Sequence, residues 1–223
     1  MLLAALSGAE AWLHAHPQHD PRAPLTLDQP AGWATQSKLA ALKSDPAQCR
    51  VFLERSELRF DALEPAGSGE CYRDDRIVFD ESDRLPGLSP GGAAATCATQ
   101  AALARWQRHV VQPEARRLLG ASVARIEHFG TYSCRRIGGG ETGRWSQHAR
   151  GNAIDISGFV LDDGTRISVR QDWTDNDAGS AFLKAVRDGA CGEFTVVLSP
   201  DYNAAHADHL HFDQSPGGFG LCR

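Results

Sequence analysis

The chain has 223 residues, 42% hydrophobic and 23% charged, with a formal net charge of −5. This length suits one large domain or a domain with a small appendage, and the composition excludes a disordered chain, a collagen-like chain and a polytopic membrane protein. A mildly acidic chain has no electrostatic footprint for nucleic acid, so that partner class is set aside.

Met1 to Leu6 is apolar, but Glu10 interrupts the run and no basic region precedes it. The stretch is too short for a membrane span and reads either as the tail of a signal or anchor segment, able to tether the chain to a membrane, or as a short amphipathic helix. His14 to Pro30 is rich in Pro, His and Asp and reads as an extended linker. Residues 1–30 are therefore taken as an N-terminal segment and linker, and residues 31–223 as the main domain.

Gly32 to Ser44 predicts a short helix, with Leu39, Ala40 and Leu42 among its apolar positions. Pro46 marks a helix start, and the pattern runs on to Arg55. Arg76 to Phe79 is strand-like, and Leu85 to Gly92 reads as a Pro/Gly loop. Ala93 to Gln112 is the longest helix, Pro113 should kink it or open a new turn, and Gly120 should end the segment beyond that proline. Strands are expected at Ser122 to Phe129, Thr131 to Arg135 and Ala153 to Leu161. Asp162 to Thr165 is a hairpin turn signal, with Arg166 to Val169 as the return strand. A helix over Ser180 to Gly189 and strands at Phe194 to Leu198 and His209 to Asp213 complete the chain. Helices followed by a small, mainly antiparallel sheet make the fold class α+β, with helices packed on one side.

The six cysteines are Cys49, Cys71, Cys97, Cys134, Cys191 and Cys222. No two form a CxxC pair, which argues against a zinc ribbon or a thioredoxin-type site. An even number of widely spaced cysteines points to disulfides and an oxidising compartment. The expected pairing is sequential: Cys49–Cys71, Cys97–Cys134 and Cys191–Cys222.

Histidines carry the chemistry. His206, His209 and His211 crowd together, and His148 lies in the pattern Ser146-x-His148-x-x-Gly151-x-Ala153-x-Asp155. A single such histidine is most often a locally bonded loop residue; the set as a whole is what points to a metal. Catalytic zinc uses three protein ligands and leaves one position open. His148 and Asp155 are too far apart for one helical face. A loop entering a strand can join them, with Gly151 permitting the turn and Ala153 keeping space clear. His209 and His211, two apart on a strand, share a face, so one can bind metal while the other faces a substrate.

The first motif resembles that of the zinc D-Ala-D-Ala peptidases. The closing His209-x-His211 is similar to the wider group that includes lysostaphin-type endopeptidases and the hedgehog signalling domain. More closely, the chain resembles the bacterial extensin-like C-terminal domain proteins. The resemblance lies in Gly32 to Thr35 with Lys38-Leu39, Tyr132 to Arg135, Ser146 to Phe159, Gly189 to Cys191, Leu198 to Asp213 and the terminal Cys222-Arg223.

The resemblance implies a sheet carrying a zinc (Zn2+) site of the hedgehog and D-Ala-D-Ala peptidase kind, with ligands His148, Asp155 and His211. His209 would face the substrate as base or as oxyanion stabiliser. In the peptidases a Glu three residues before the last ligand is the base. Here that position is Asp208, one methylene shorter, which leaves the base open between Asp208 and His209. Arg135 corresponds to an arginine that helps polarise the substrate carbonyl; a surface salt bridge is its other reading. Ser146 and His206 are candidates to support the ligands, with His206 also readable as a plain loop histidine. The implied activity is zinc-dependent hydrolysis of peptide bonds in peptidoglycan stem peptides or cross-links, of D,D-carboxypeptidase or endopeptidase type, in the periplasm. The alternative is a non-catalytic zinc-containing module that binds or braces the cell wall.

Overall fold

Two groups of apolar side chains, one mostly on helices and one shared by helices and the main sheet, close two cores. The computed structural model describes residues 2–80, 84–216 and 220–223; Met1 lies outside them. Helix α1 spans Leu2–Ala15 and is followed by a 3-10 turn at Pro17–His19. Trp12 stacks on His16 and His19, and His19 packs on Trp33. Part of the stretch expected as a linker is anchored instead. Leu25 and Leu27 are buried among α2 (Thr35–Ser44), α3 (Pro46–Arg55) and the start of α4 (Cys97–Trp106). Pro46 opens α3 as expected, and the Asp45 carboxylate caps it by accepting from Gln48 N at 3.0 Å.

Strands β1 (Phe60–Ala62) and β2 (Ile77–Phe79) form a small antiparallel ribbon. The segment read as a loop from Leu85 to Gly92 contains a strand, β3 (Gly87–Ser89), which pairs parallel with β4 (Val123–Gly130). Three residues flanked by Pro and Gly are too few to show a period. The long helix runs from α4 through a π-helical stretch, Gln107–Val111, into α5 (Gln112–Leu119). Pro113 sits in the first turn of α5, so a new helical element opens there as expected, while the helical run itself continues. The wider turn just ahead makes room for a ring that would otherwise crowd the carbonyl four residues back. Gly120 ends the run in the left-handed region, φ 70°.

Strand β5 (Ala153–Leu161) pairs antiparallel with β4, with β6 (Arg166–Ser168) and with β8 (Leu210–Asp213). Helices α6 (Val169–Asp172) and α7 (Ala178–Ala190) lead to β7 (Val196–Leu198), and β9 (Leu221–Cys222) adds to β7 in parallel. The sheet is thus a mixed one of seven strands, ordered β3-β4-β5-β8-β7-β9 with β6 on β5, and not the small antiparallel sheet expected. Both parallel pairs join strands distant in sequence, a connection that local turn signals do not reveal. Thr131 to Arg135, expected as a strand, is irregular: Gly130 turns the chain at φ 127°, out of the extended region.

One sheet face packs on α4, α5 and α7. Trp106 lies edge-on to Phe212 at 5.1 Å and 6.0 Å from Phe159. A Cβ on Gly189 would run into the Val110 side chain, so this glycine lets α7 approach the π-helical stretch. Arg105, fully buried, clasps the Glu193 carboxylate at 2.9 and 3.2 Å and donates to Gln29 O at 3.1 Å. The pair ties the 25–29 segment and α4 to the segment between α7 and β7. Burial pushes the Glu193 carboxyl up, against the pull of Arg105.

The disulfides are Cys49–Cys97, Cys71–Cys134 and Cys191–Cys222, with Cα separations of 6.0, 5.6 and 5.8 Å. The last is the expected one. The expected Cys49–Cys71 and Cys97–Cys134 pairs are replaced by an interleaved pattern. The reason is packing: α3 lies on α4, bringing Cys49 to Cys97, while Cys71 meets the irregular segment after β4.

Candidate metal centre

On β5 and β8 the core residues Ile154, Ile156, Leu210 and Phe212 alternate with Asp155 and His211. Alternation therefore sends Asp155 and His211 to the face away from the helices, and the two are direct cross-strand neighbours. His148 reaches them from a 3-10 turn, Gln147–Arg150. Ser146 caps that turn by accepting from His148 N, and Gly151 closes it in the left-handed region at φ 66°. The next two residues enter β5.

His148 Nε2 lies 3.1 Å from Asp155 Oδ1 and 3.1 Å from His211 Nδ1, and His211 Nδ1 lies 2.9 Å from Asp155 Oδ1. Zinc bonds of about 2.0–2.1 Å in tetrahedral geometry would set ligand atoms about 3.3 Å apart, close to this triangle. The far nitrogens of both rings are already engaged. His148 Nδ1–H donates to Thr131 O at 3.2 Å, and His211 Nε2–H donates to Asp213 Oδ2 at 3.1 Å. Such partners fix the tautomers and aim Nε2 of His148 and Nδ1 of His211 at the shared point. His148 Nε2 and Asp155 Oδ1 are then two acceptors facing each other, which only a shared cation, proton or metal, satisfies. Two nitrogens and one carboxylate oxygen are a donor set suited to zinc.

The charges agree with this geometry. Burial opposes ionisation of Asp155, but the proton on His211 Nδ1 and the pairing with His148 outweigh it and hold the carboxyl well below the usual range. Burial alone would lower the His211 pKa, yet its bonds to Asp155 and Asp213 raise it to about 9. Without a metal, His211 carries a proton on both ring nitrogens at neutral pH.

His209 lies just before β8, on the same side as His211. Its Nε2 is 3.5 Å from Asp155 Oδ1, and its Nδ1–H donates to Asp208 Oδ1 at 2.9 Å. The Asp208 carboxylate is therefore turned to His209. His206 packs against both neighbours, with ring centroids 5.1 Å from His209 and 5.9 Å from His211, and its Nδ1–H donates to Asn203 Oδ1 at 2.8 Å. Burial, helped by the charges of His209, His211 and Arg135, lowers its pKa to about 4. Arg135 itself stands exposed on the segment after Cys134 and reaches the cluster through this field. Phe129, 62% exposed, lies edge-on to His209, and Tyr202 lies edge-on to His206.

Two supporting residues are absent from the expectations drawn from sequence. Asp213 had a signal: it follows His211 by two and so shares its face. Thr131 had none, because it acts through a backbone carbonyl; its hydroxyl donates to Ala94 O at 2.6 Å and pins it in place.

The three disulfides are consistent with an extracytoplasmic protein. Among the described residues no helix is long and apolar enough to cross a membrane. The family model described as extensin-like protein C-terminus matches residues 47–223. No curated protein and no solved structure matches the chain.

Proposed function

The chain belongs to the extensin-like C-terminal family, and from that premise we propose that it is a zinc-dependent hydrolase of amide bonds in peptidoglycan stem peptides or cross-links, working in the periplasm. The observation that carries this reading is the convergence of His148 Nε2, Asp155 Oδ1 and His211 Nδ1 on one point. These residues would hold the metal, with Thr131 and Asp213 setting the rings. Zinc held there would polarise a carbonyl and bring the pKa of a water toward neutrality.

The other groups supply proton transfer and charge. Asp208 fixes the His209 tautomer, leaving Nε2 facing the cluster as the atom that takes a proton and delivers it to the leaving amine. Asp208 then orients the base and is not the base itself. Arg135 at the rim adds positive charge near a developing oxyanion. Phe129 and Tyr202 flank the histidines and wall the approach. The likeness to the D-Ala-D-Ala peptidases rests on the sequence motif and remains part of this proposal.

A second reading, a non-catalytic zinc-containing wall module, draws on one observation: the carboxylate at the position of the peptidases' base is turned to His209. Digestion of purified sacculi separates the two. The hydrolase releases new amino termini, stops on chelation and resumes with zinc. The module retains zinc and sediments with sacculi without releasing any.

A further inference from the structure

A groove of about 1350 Å³ lies between α2, the 69–75 loop and the 144–152 segment. His148, Asp155 and His211 do not line it, so it is distinct from the metal centre. Ser146 and Gln147 line it directly ahead of His148 in the chain, so the two sites share one segment.

The lining has an uncommon chemistry. Among the described residues, no Leu, Ile, Val or Met contributes to it. Gln36, Gln147, Asn152 and Thr195 are among its polar lining, with the aromatic side chains of Tyr72, Trp145 and Phe194. The amides are held in place: Asn152 Nδ2 donates to Gln147 Oε1 at 2.7 Å, while Asn152 Oδ1 accepts from the Thr96 hydroxyl at 2.9 Å. Tyr72 is 49% exposed, and the Arg136 guanidinium sits 4.4 Å over the Trp145 ring, fixing its plane. Four basic and three acidic side chains line the groove and nearly cancel.

Each feature removes a ligand class. A peptide with large apolar side chains meets only small surfaces such as Ala40, Pro46, Ala98 and Pro216, with no branched aliphatic side chain to bury against. A polyanion finds no net positive field. A sugar chain meets what is present: its C–H faces stack on aromatic rings, and its hydroxyls exchange hydrogen bonds with amides, hydroxyls and charged heads. We infer that this groove is a binding site for an oligosaccharide chain, separate from the metal centre and independent of metal chemistry.

The test is calorimetric titration of the full chain with two probes, the N-acetylglucosamine hexamer and peptide-free glycan strands cut from sacculi, with free stem peptide as comparison. Saturable binding of at least one glycan is expected, unchanged by chelation. Tyr72→Ala should weaken it roughly five- to tenfold, and Tyr72→Phe should largely restore it. Gln36→Ala, on α2 and away from the metal segment, should weaken it as well. Thermal unfolding of each variant separates lost contact from lost fold. The inference is overturned if neither glycan binds, if stem peptide binds in preference, or if folded Tyr72→Ala and Gln36→Ala both bind like wild type. Loss or retention of zinc does not enter these outcomes, so they are distinct from failure of the hydrolase reading.

Discussion

Asp213 Oδ2 lies 3.1 Å from His211 Nε2, two residues along the same strand, so the backbone that presents this candidate ligand also presents the group that orients it. The carboxylate fixes which ring nitrogen carries a proton and leaves Nδ1 for the cluster. Asp213→Asn should therefore keep all three ligands yet weaken zinc binding by about 10–100-fold. Competition with a chromophoric chelator measures this. An unchanged affinity would leave Asp213 without the orienting role.

The metal-free protein should show a pH dependence set by His211. Its pKa is raised to about 9 in the fold, against about 6.5 in the unfolded chain. A raised pKa stabilises the fold fully below the unfolded value and loses that contribution as pH climbs to the folded one. Chelated protein should thus lose about 3 kcal/mol at most between pH 6.5 and 9. Asp155, whose pKa is lowered, acts at the other end: its contribution is present above the usual carboxylate range and is lost as pH falls below it. Zinc should flatten the alkaline fall, because a metal replaces the Nδ1 proton. Melting curves across this range decide it, and a chelated protein with a flat alkaline profile contradicts the assignment.

His209→Ala should keep its zinc and its melting temperature while losing about 10²–10⁴ in turnover. Asp208→Asn should lose less, since it disturbs the orientation of His209 and leaves the imidazole in place. A larger loss for Asp208→Asn would return the role of base to Asp208. Muropeptide chromatography with parallel zinc analysis reads both.

Glu193→Leu should destabilise the fold by about 3–5 kcal/mol, because it leaves the buried Arg105 cation uncompensated. Adding Arg105→Met should recover much of that loss, as an apolar pair has no charge to bury. Urea unfolding midpoints give both values. A single variant as stable as wild type would show that Arg105 is rehydrated in the folded chain.

The parts of this fold that were legible in the sequence are those fixed by local rules. Ala153 to Leu161 is a strand as expected, and Asp162-Asp163-Gly164-Thr165 turns it into β6. Gly120 ends its helix because a left-handed residue is needed there. The meeting of His148, Asp155 and His211 was legible through the motif and the resemblance it carries, with Gly151 permitting the turn and Ala153 keeping space clear at the entry to β5. The features that stayed hidden depend on contacts between distant segments. Cys49 finds Cys97 only because α3 packs on α4. β3 is a strand only because β4 offers its edge. Leu25 and Leu27 join the core only because α2 and α3 leave a site for them. Thr131 carries no signal at all, since any residue provides a carbonyl.

The most direct measurement is the metal content of the purified chain after equilibration with zinc and removal of excess, compared with His148→Ala, Asp155→Asn and His211→Ala. A centre built on these three residues predicts one zinc per wild-type chain and a content far below that in each variant, with circular dichroism showing the fold retained. Full zinc in both His148→Ala and His211→Ala would contradict it.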